Sequence, residues 1–361
     1  MGNFTGQLNA NEIFAGMFNM LISQMVYADN VDFTGSNLVD KARVDGGLFG
    51  DTKLYYATDA LESHEWGGDS EATKLLAIKR PKEPKCQAIE LDTFRQIDLT
   101  VDNYLTKRFW MQESSFSSFN SVMLGWMQTT KAIYDANTYN AYIGTVVTSV
   151  GKQSRTITLP TSDDAEAQAR LQAQYIAKDL ANMIVELKDT TRDYNDYAFI
   201  RSYAPAKLRI VWNSEAQNEI TNMDLPTIFH KDGLMDKLES ESLPARFFGD
   251  INASSGTVGT SNTTIRSLIE TDYTVSGTTT HVFPGELLPA SAKYDANTTY
   301  TQNSKILYKV MCVRSVPYMS AFEAGTSFFN AKSLTENHYL TWGHNHLEYL
   351  KQYPMITVKK A

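Results

Sequence analysis

The chain has 361 residues, of which 42% are hydrophobic, 11% aromatic and 20% charged, a balance that excludes a mainly disordered state and allows two domains' worth of core. Lys plus Arg is 33 against Asp plus Glu 41, so the net charge of -8 has the wrong sign for a module that grips nucleic acid through its phosphates. The only cysteines, Cys86 and Cys312, have no CxxC or Cys/His spacing, which excludes a zinc knuckle and a disulfide framework and points to a reduced, intracellular product.

The first basic residue is Lys41, so the apolar stretch from Ile13 to Tyr27 lacks the positive flank of a signal peptide, and Asn19, Ser23 and Gln24 interrupt it. It is too short to span a bilayer, and Gly6 stands where N-myristoylation needs Ser or Thr. These features predict synthesis in the cytoplasm and no membrane partner. Residues 11–27 place Ile13, Met17, Met20 or Leu21, and Met25 on one helical stripe. Its Met- and Phe-rich surface, with Phe14, Met17, Phe18 and Met25, suits either a contact with another subunit or a short helix packed on its own core.

Strand-like segments follow at Thr52–Thr58, Thr73–Ile78 and Ala88–Val101. In the last, Ile89, Leu91, Ile97, Leu99 and Val101 alternate with Glu90, Asp92, Asp98, Thr100 and Asp102, the period of a strand with one dry and one wet face. Pro81 and Pro84 preclude a helix or central strand in the turn between, where Lys74, Lys79, Arg80, Lys82 and Lys85 face only one acid, Glu83. The expectation is a long hairpin over 46–101 with a basic tip. With about 25 residues per limb it would reach roughly 80 Å, beyond its own domain, so it must fold back or lie on a neighbour. The tip is then either a solvated loop or a docking element for acidic protein surface.

Phe116, Phe119, Met123, Trp126, Ile133 and Tyr134 recur at three- and four-residue steps, predicting one helix over 115–143 whose Phe119, Met123 and Trp126 face packs on strands, with the Trp126 ring buried. A second helix is expected over 163–189, with a capping box from Thr161 to Asp164 and a buried face of Ile176, Leu180, Met183, Ile184 and Leu187. Lys207–Trp212 reads as a buried strand, followed by a short helix capped by Ser214. Residues 252–280, dominated by Ser, Thr and Gly, read as a surface excursion of turns and hairpins, and strands close the chain at Ile306–Val313 and Met355–Lys359. Helices and strands intermix without βαβ regularity, so the class is α+β.

Tests for catalytic motifs fail. Gly144 and Gly151-Lys152 are separated by six residues where a phosphate loop has four, and Gln153 replaces its Ser or Thr. No GxGxxG or GxSxG occurs, and His64-Glu65 lacks the second His of a zincin. His338, His344 and His346, with Glu336 and Glu348, allow a metal site to be drawn, against the plainer reading of hydrogen-bonded histidines. No catalytic residue, cofactor or metal site is assigned.

The segments CQAIELDTFRQIDLTVDNYL (86–105), SSFSSFNSVMLGWMQTTKAIYDANTYNAYIG (114–144), the helix at 163–189 and AKLRIVWNSEAQNEI (206–220) form an order that resembles the major capsid proteins of tailed bacteriophages, the Hong Kong 97-type fold. LPARFFGDI (243–251) and KVMCVRSVPYMSAFEAG (309–325) look like that family's later strands. The resemblance implies an N-terminal arm (1–45), an extended β-hairpin loop (46–101), a peripheral domain with a spine helix (102–150), an axial domain with the excursion 252–280 (151–304), and C-terminal strands returning to the peripheral domain (305–361). It implies a non-enzymatic homo-oligomer of pentamers and hexamers that forms an icosahedral shell around double-stranded phage DNA, touched non-specifically, with a portal protein. The absence of a long helical leader before residue 10 implies a separate scaffolding protein. Lys79, Arg80, Lys82, Lys85, Phe14, Met17, Phe18 and Met25 are the expected inter-subunit contacts. The alternatives are an encapsulin-like compartment and a metal-dependent hydrolase using the three histidines.

Overall fold

A computed structural model describes residues 38–45, 52–65, 78, 80–102, 113–146, 153–195, 197–221, 239–312, 317–345 and 355–361. In chain order the elements are α1 (Leu38–Ala42), β1 (Arg43–Asp45), β2 (Thr52–Ala57), β3 (Lys85–Asp102), α2 (Glu113–Gly144), β4 (Thr145–Val146), β5 (Ser154–Ile157), α3 (Ala165–Lys188), β6 (Arg209–Asn213), α4 (Ser214–Thr221), β7 (Glu239–Leu243) and β8 (Gly249–Ile251). They continue as β9 (Gly256–Thr257), β10 (Ile265–Ser267), β11 (Thr271–Val275), β12 (Thr278–Val282), β13 (Lys293–Tyr294), β14 (Thr299–Gln302), β15 (Ile306–Met311), β16 (Tyr318–Asn330), β17 (Thr335–Asn345) and β18 (Met355–Lys360). The expected helix over 11–27 lies outside the described residues, as does the strand expected at Thr73–Ile78 except for Ile78.

One five-stranded sheet has the order β1-β16-β17-β3-β2 and a second the order β5-β18-β15-β6-β7. Strand β3 behaves as its alternation requires: Ile89, Leu91 and Val101 are buried and Ile97 and Leu99 half-buried, whereas Glu90, Asp92, Phe94, Gln96, Asp98 and Thr100 are exposed. Among the described residues Lys85–Glu90 pair with β2, while Leu91 and residues 93–102 pair with β17 of the β16–β17 hairpin.

Helix α2 is continuous and lies on this sheet, but one residue out of the expected phase. Met127 and Tyr134 pack with Leu340 and Trp342 and with the half-buried Ile97 and Leu99, while Trp126 is 49% exposed. The buried stripe runs Met127, Lys131, Tyr134, Thr138, Ala141, and a pattern restricted to apolar residues skips Lys131. The side chains of Phe116, Phe119 and Met123 lie outside the described residues. Further along, Ala136, Tyr139 and Ile143 meet Leu38, Val39 and Ala42 of α1 together with Val211, Phe248, Met311 and Tyr318, so this end of the helix is enclosed on several sides. It stops at Gly144, where a Cβ would lie 2.1 Å from the Phe247 carbonyl oxygen; the close approach requires glycine.

Helix α3 covers the second sheet with Ile176, Leu180, Met183, Ile184 and Leu187, as its sequence predicts. Its cap differs. Asp164 is the N-cap and accepts from the Glu166 amide, so the capping box from Thr161 does not form. The strand expected at Lys207 begins at Arg209 because Pro205–Lys207 make a 3-10 turn. Asn213, rather than Ser214, caps α4 by accepting from the Glu215 amide. The Ser/Thr-rich excursion forms short strands around its own small core of Val258, Tyr273, Val282, Leu288 and Ala292, and extends past residue 280.

Two buried ionic groups join these layers. Asp135 on α2 has no exposed surface and accepts from Arg43 Nη2 at 3.0 Å and from the Tyr318 hydroxyl at 2.7 Å, with Lys131 Nζ 3.8 Å away. Lys309 on β15, also fully buried, donates to the Thr145 carbonyl just past the end of α2, a helix with no basic residue in its last turn. Burial pushes the Lys309 ammonium down to about 7. Among the described residues no helix is long and apolar enough to cross a membrane.

Asp135→Asn removes the buried charge that Arg43 and Lys131 share, leaving Arg43 with Asp40, and should destabilise the subunit by about 1–3 kcal/mol in urea unfolding. For Lys309 the folded group holds fewer protons than the unfolded one between pH 7 and its ordinary value of 10.5, so this residue makes the native state gain stability as pH rises through that window. Lys309→Met removes that dependence. The wild-type melting temperature should therefore rise relative to the variant between pH 7 and pH 9.5, and parallel curves would contradict the burial.

Candidate assembly interface

The expected contact residues fall into two groups. Phe14, Met17, Phe18 and Met25 lie outside the described residues, as does Lys79. Arg80, Lys82 and Lys85 lie on the connection between β2 and β3 and are exposed. Arg80 and Lys85 have no ionic partner among the described residues. Lys82 instead turns back to its own chain, 3.1 Å from Asp59 and 3.7 Å from Glu62.

Asp59 is the centre of this region. Its side chain is only 2% exposed. Oδ1 accepts from the amides of Ala60 and Ile200, both at 2.9 Å, and Oδ2 accepts from Lys82 Nζ at 3.1 Å and Arg192 Nη1 at 3.0 Å. Beside it, Arg201 Nη1 donates to the Thr58 carbonyl at 2.6 Å. The Ile200 amide, with Arg192 and Lys82, holds the Asp59 carboxyl well below the usual carboxylate range.

The surface that receives Asp59 is a turn built for rigidity. Thr191 and Arg201 exchange backbone hydrogen bonds at 3.0 and 2.9 Å across its base. Within it the buried Asn195 side chain binds both backbone groups of Phe199, and Tyr194 and Ala198 adopt left-handed φ of 62° and 53°. Non-glycine residues pay about 1–2 kcal/mol for that conformation, so the turn is held by its surroundings and presents the Ile200 amide and two guanidinium groups ready-made.

Sequence reading does not find Asp59, Arg192 or Arg201 as partners, because they lie 133 to 143 residues apart and no local spacing connects them. The histidines form no metal centre among the described residues, and no group of three or more His, Cys, Asp and Glu there can hold an ion. His344 is buried: Nδ1 is 2.9 Å from the Asn345 carbonyl and Nε2 is 2.8 Å from the Tyr134 hydroxyl, which also accepts from Arg95 Nε at 3.2 Å. Burial lowers its pKa, so the neutral ring donates from Nδ1 and accepts at Nε2. His338 stands 3.9 Å from Glu336, and His346 lies outside the described residues.

Apolar side chains face solvent at two places beside these charges. Leu61 is 78% and Ile78 80% exposed on the β2–β3 connection, and Phe328, Phe329 and Leu334 are exposed where the β16–β17 hairpin turns. The wet face of β3 adds Glu90, Asp92 and Asp98. Exposed basic and apolar groups thus share the β2–β3 connection, exposed acids lie on the adjoining β3, and a second apolar group lies at the β16–β17 turn.

The family model described as Phi29-like phage major capsid protein matches residues 3–357. Among solved structures, a chain from the capsid structure of Staphylococcus phage Andhra superposes with a TM-score of 0.59 at 10% identity, covering 93% of this chain and 87% of that one. A chain from a structure of the head fiber and inner core protein gp22 of native bacteriophage P68 gives a TM-score of 0.61 at 9% identity, covering 92% and 87%. These likenesses are of fold. No curated protein matches the sequence.

The Asp59 contact has a measurable sign. A carboxyl whose pKa is depressed on docking contributes fully above its ordinary range and loses that contribution as pH falls through the lowered value. Asp59→Ala should therefore raise hydrogen exchange at the Ile200 amide at neutral pH. The difference between wild type and variant should vanish in strong acid, and equal exchange at pH 7 would contradict the contact.

Proposed function

The chain belongs to the family of Phi29-like phage major capsid proteins and is a structural shell protein of a phage head, and from that premise we propose how its surfaces build the shell. Capsid subunits of this kind assemble with one another, and their place is the virion. The observation that carries the reading is the family match over nearly the whole chain, 3–357.

The assembly we infer is an icosahedral shell of pentamers and hexamers around double-stranded DNA. The net charge of -8 suits a container that confines DNA while letting it slide, because few phosphates would be neutralised at the wall. A separate scaffolding protein and a portal complete the proposed partners, and synthesis is in the host cytoplasm. The arrangement follows a Hong Kong 97-type plan: arm 1–45, extended loop 46–101, peripheral domain 102–150 with α2 as spine, axial domain 151–304, and returning strands 305–361. What supports this division is that α2 lies on the sheet containing β3 and β17, whereas α3 covers a second sheet formed by β5, β18, β15, β6 and β7.

Within this plan the arm's Phe14, Met17, Phe18 and Met25 seat on a neighbour, and Arg80 and Lys85, with Lys79, meet carboxylates of an adjacent subunit. The exposed face of β3, with Glu90, Asp92 and Asp98, has the complementary charge. Each exposed pair contributes only about 0.2–1 kcal/mol, but the contact repeats in every subunit.

Electron microscopy of the chain expressed with its scaffolding protein should show round shells of uniform size. Deleting residues 1–27 should leave a subunit with native circular dichroism that forms no shells. Arg80→Glu with Lys85→Glu should block assembly or make it strongly salt-dependent, again without changing the free subunit. Normal shells at low and high salt from the charge variant would reduce this turn to a solvated loop.

A further inference from the structure

We propose that the cleft between β11 and the segment 291–298 of the Ser/Thr-rich excursion is a binding site for a neutral oligosaccharide. The proposal goes beyond the shell role and concerns residues that the assembly contacts above do not use.

The cleft has a volume of about 560 Å³, a size that suits a small ligand. One wall is β11 with the turn at Ser276, and the other is residues 291–298, which include β13. Its side chains are held in place from behind. Tyr273 borders the cleft and is buried in the excursion's own core, and Tyr294 rests on Gly256, where a Cβ would lie 2.6 Å from the tyrosine hydroxyl. His281 orients the Asp272 carboxylate: Nδ1 lies 2.6 Å from Asp272 Oδ1, while Nε2 of the same ring lies 2.8 Å from Glu270 Oε1. The rim turns each hold a non-glycine residue in left-handed backbone, Ser276 at a φ of 52°, Ser291 at 61° and Asn297 at 62°. Such backbone is unfavourable for a residue with a Cβ and persists only where its surroundings fix it, so the rim is preorganised.

The lining selects the class of ligand. Lys293 and the acids Asp272 and Asp295 border the same cleft, so a phosphate or sulfate would meet two carboxylates and a cation would meet Lys293. An apolar ligand would cover the hydroxyls of Thr271, Ser276 and Ser291 without pairing them. A neutral sugar meets each of these demands. Adjacent sugar hydroxyls donate to a carboxylate, accept from an ammonium and exchange hydrogen bonds with Ser and Thr, and the apolar face of the sugar ring can lie on a tyrosine. Lys293 and Asp295 have no hydrogen-bonded or ionic side-chain partner among the described residues, so both are available to a ligand.

The test is saturation-transfer NMR on the purified full-length chain, with maltotriose, cellotriose, chitotriose and mannotriose as separate probes and glucose 6-phosphate as the charged counter-probe. At least one neutral trisaccharide is expected to bind in the millimolar range or tighter, and more tightly than glucose 6-phosphate. Asp295→Ala should weaken that binding at least tenfold, and Tyr294→Ala should abolish it. Tyr294→Ala can disturb the excursion itself, whereas the exposed Asp295 carboxylate bonds to no described side chain, so Asp295→Ala decides the matter if the tyrosine variant loses its native circular dichroism. Absence of binding by all the neutral probes, unchanged affinity in Asp295→Ala, or preference for glucose 6-phosphate overturns the proposal.

Discussion

A carboxylate without exposed surface holds the middle of this subunit together. Asp135 lies on α2, Arg43 on β1, and Tyr318 at the start of the β16–β17 hairpin, and all three meet in one cluster. An ion sequestered this way is tolerated only with its partners in place, so β1, α2 and the hairpin are bound to a common geometry. The ring of Tyr318 stacks on His344 at 5.5 Å, and His344 in turn contacts Tyr134 on the same helix, which extends the constraint across the sheet. The buried polar groups therefore fix the register of helix against strands, where apolar packing alone would tolerate sliding.

The periphery is built on a different principle. Around the Asp135 cluster the contacts are apolar and enclosed, whereas among the described residues the β2–β3 connection meets the body through Asp59, Arg192 and Arg201 and through the β2–β3 ladder. Regions with few buried apolar contacts open at a fraction of the global free energy.

What the sequence reveals follows from where each element sits. Strand β3 and helix α3 each have one wet and one dry side, so their periods of 2 and 3.6 are visible and their buried residues can be named in advance. The C-terminal half of α2 is enclosed on several sides, and polar Lys131 and Asp135 occupy its inner positions, so an apolar stripe read through Trp126 runs one residue out of phase. The hairpin of β16 and β17 escapes detection for a related reason: Tyr318 and Met319 are both buried while residues 325–329 are all exposed, and neither stretch alternates. The Asp59 receptor is invisible locally because it joins two irregular segments far apart in the chain. Fold-level resemblance recovers the family where periodicity cannot, because the order of elements survives when individual contacts do not.

The continuity of β3 has a mechanical meaning. One uninterrupted strand of 18 residues begins at the β2–β3 connection and ends deep in the main sheet, where it pairs with β17 from Leu91 to Asp102. A pull on that connection along this strand loads the hydrogen bonds of that ladder in shear, all together, rather than unzipping them one after another. A load carried by this strand is thereby spread over the whole sheet and through it to helix α2, so the subunit would answer a pull as one tensile member rather than as a loop peeled from an edge.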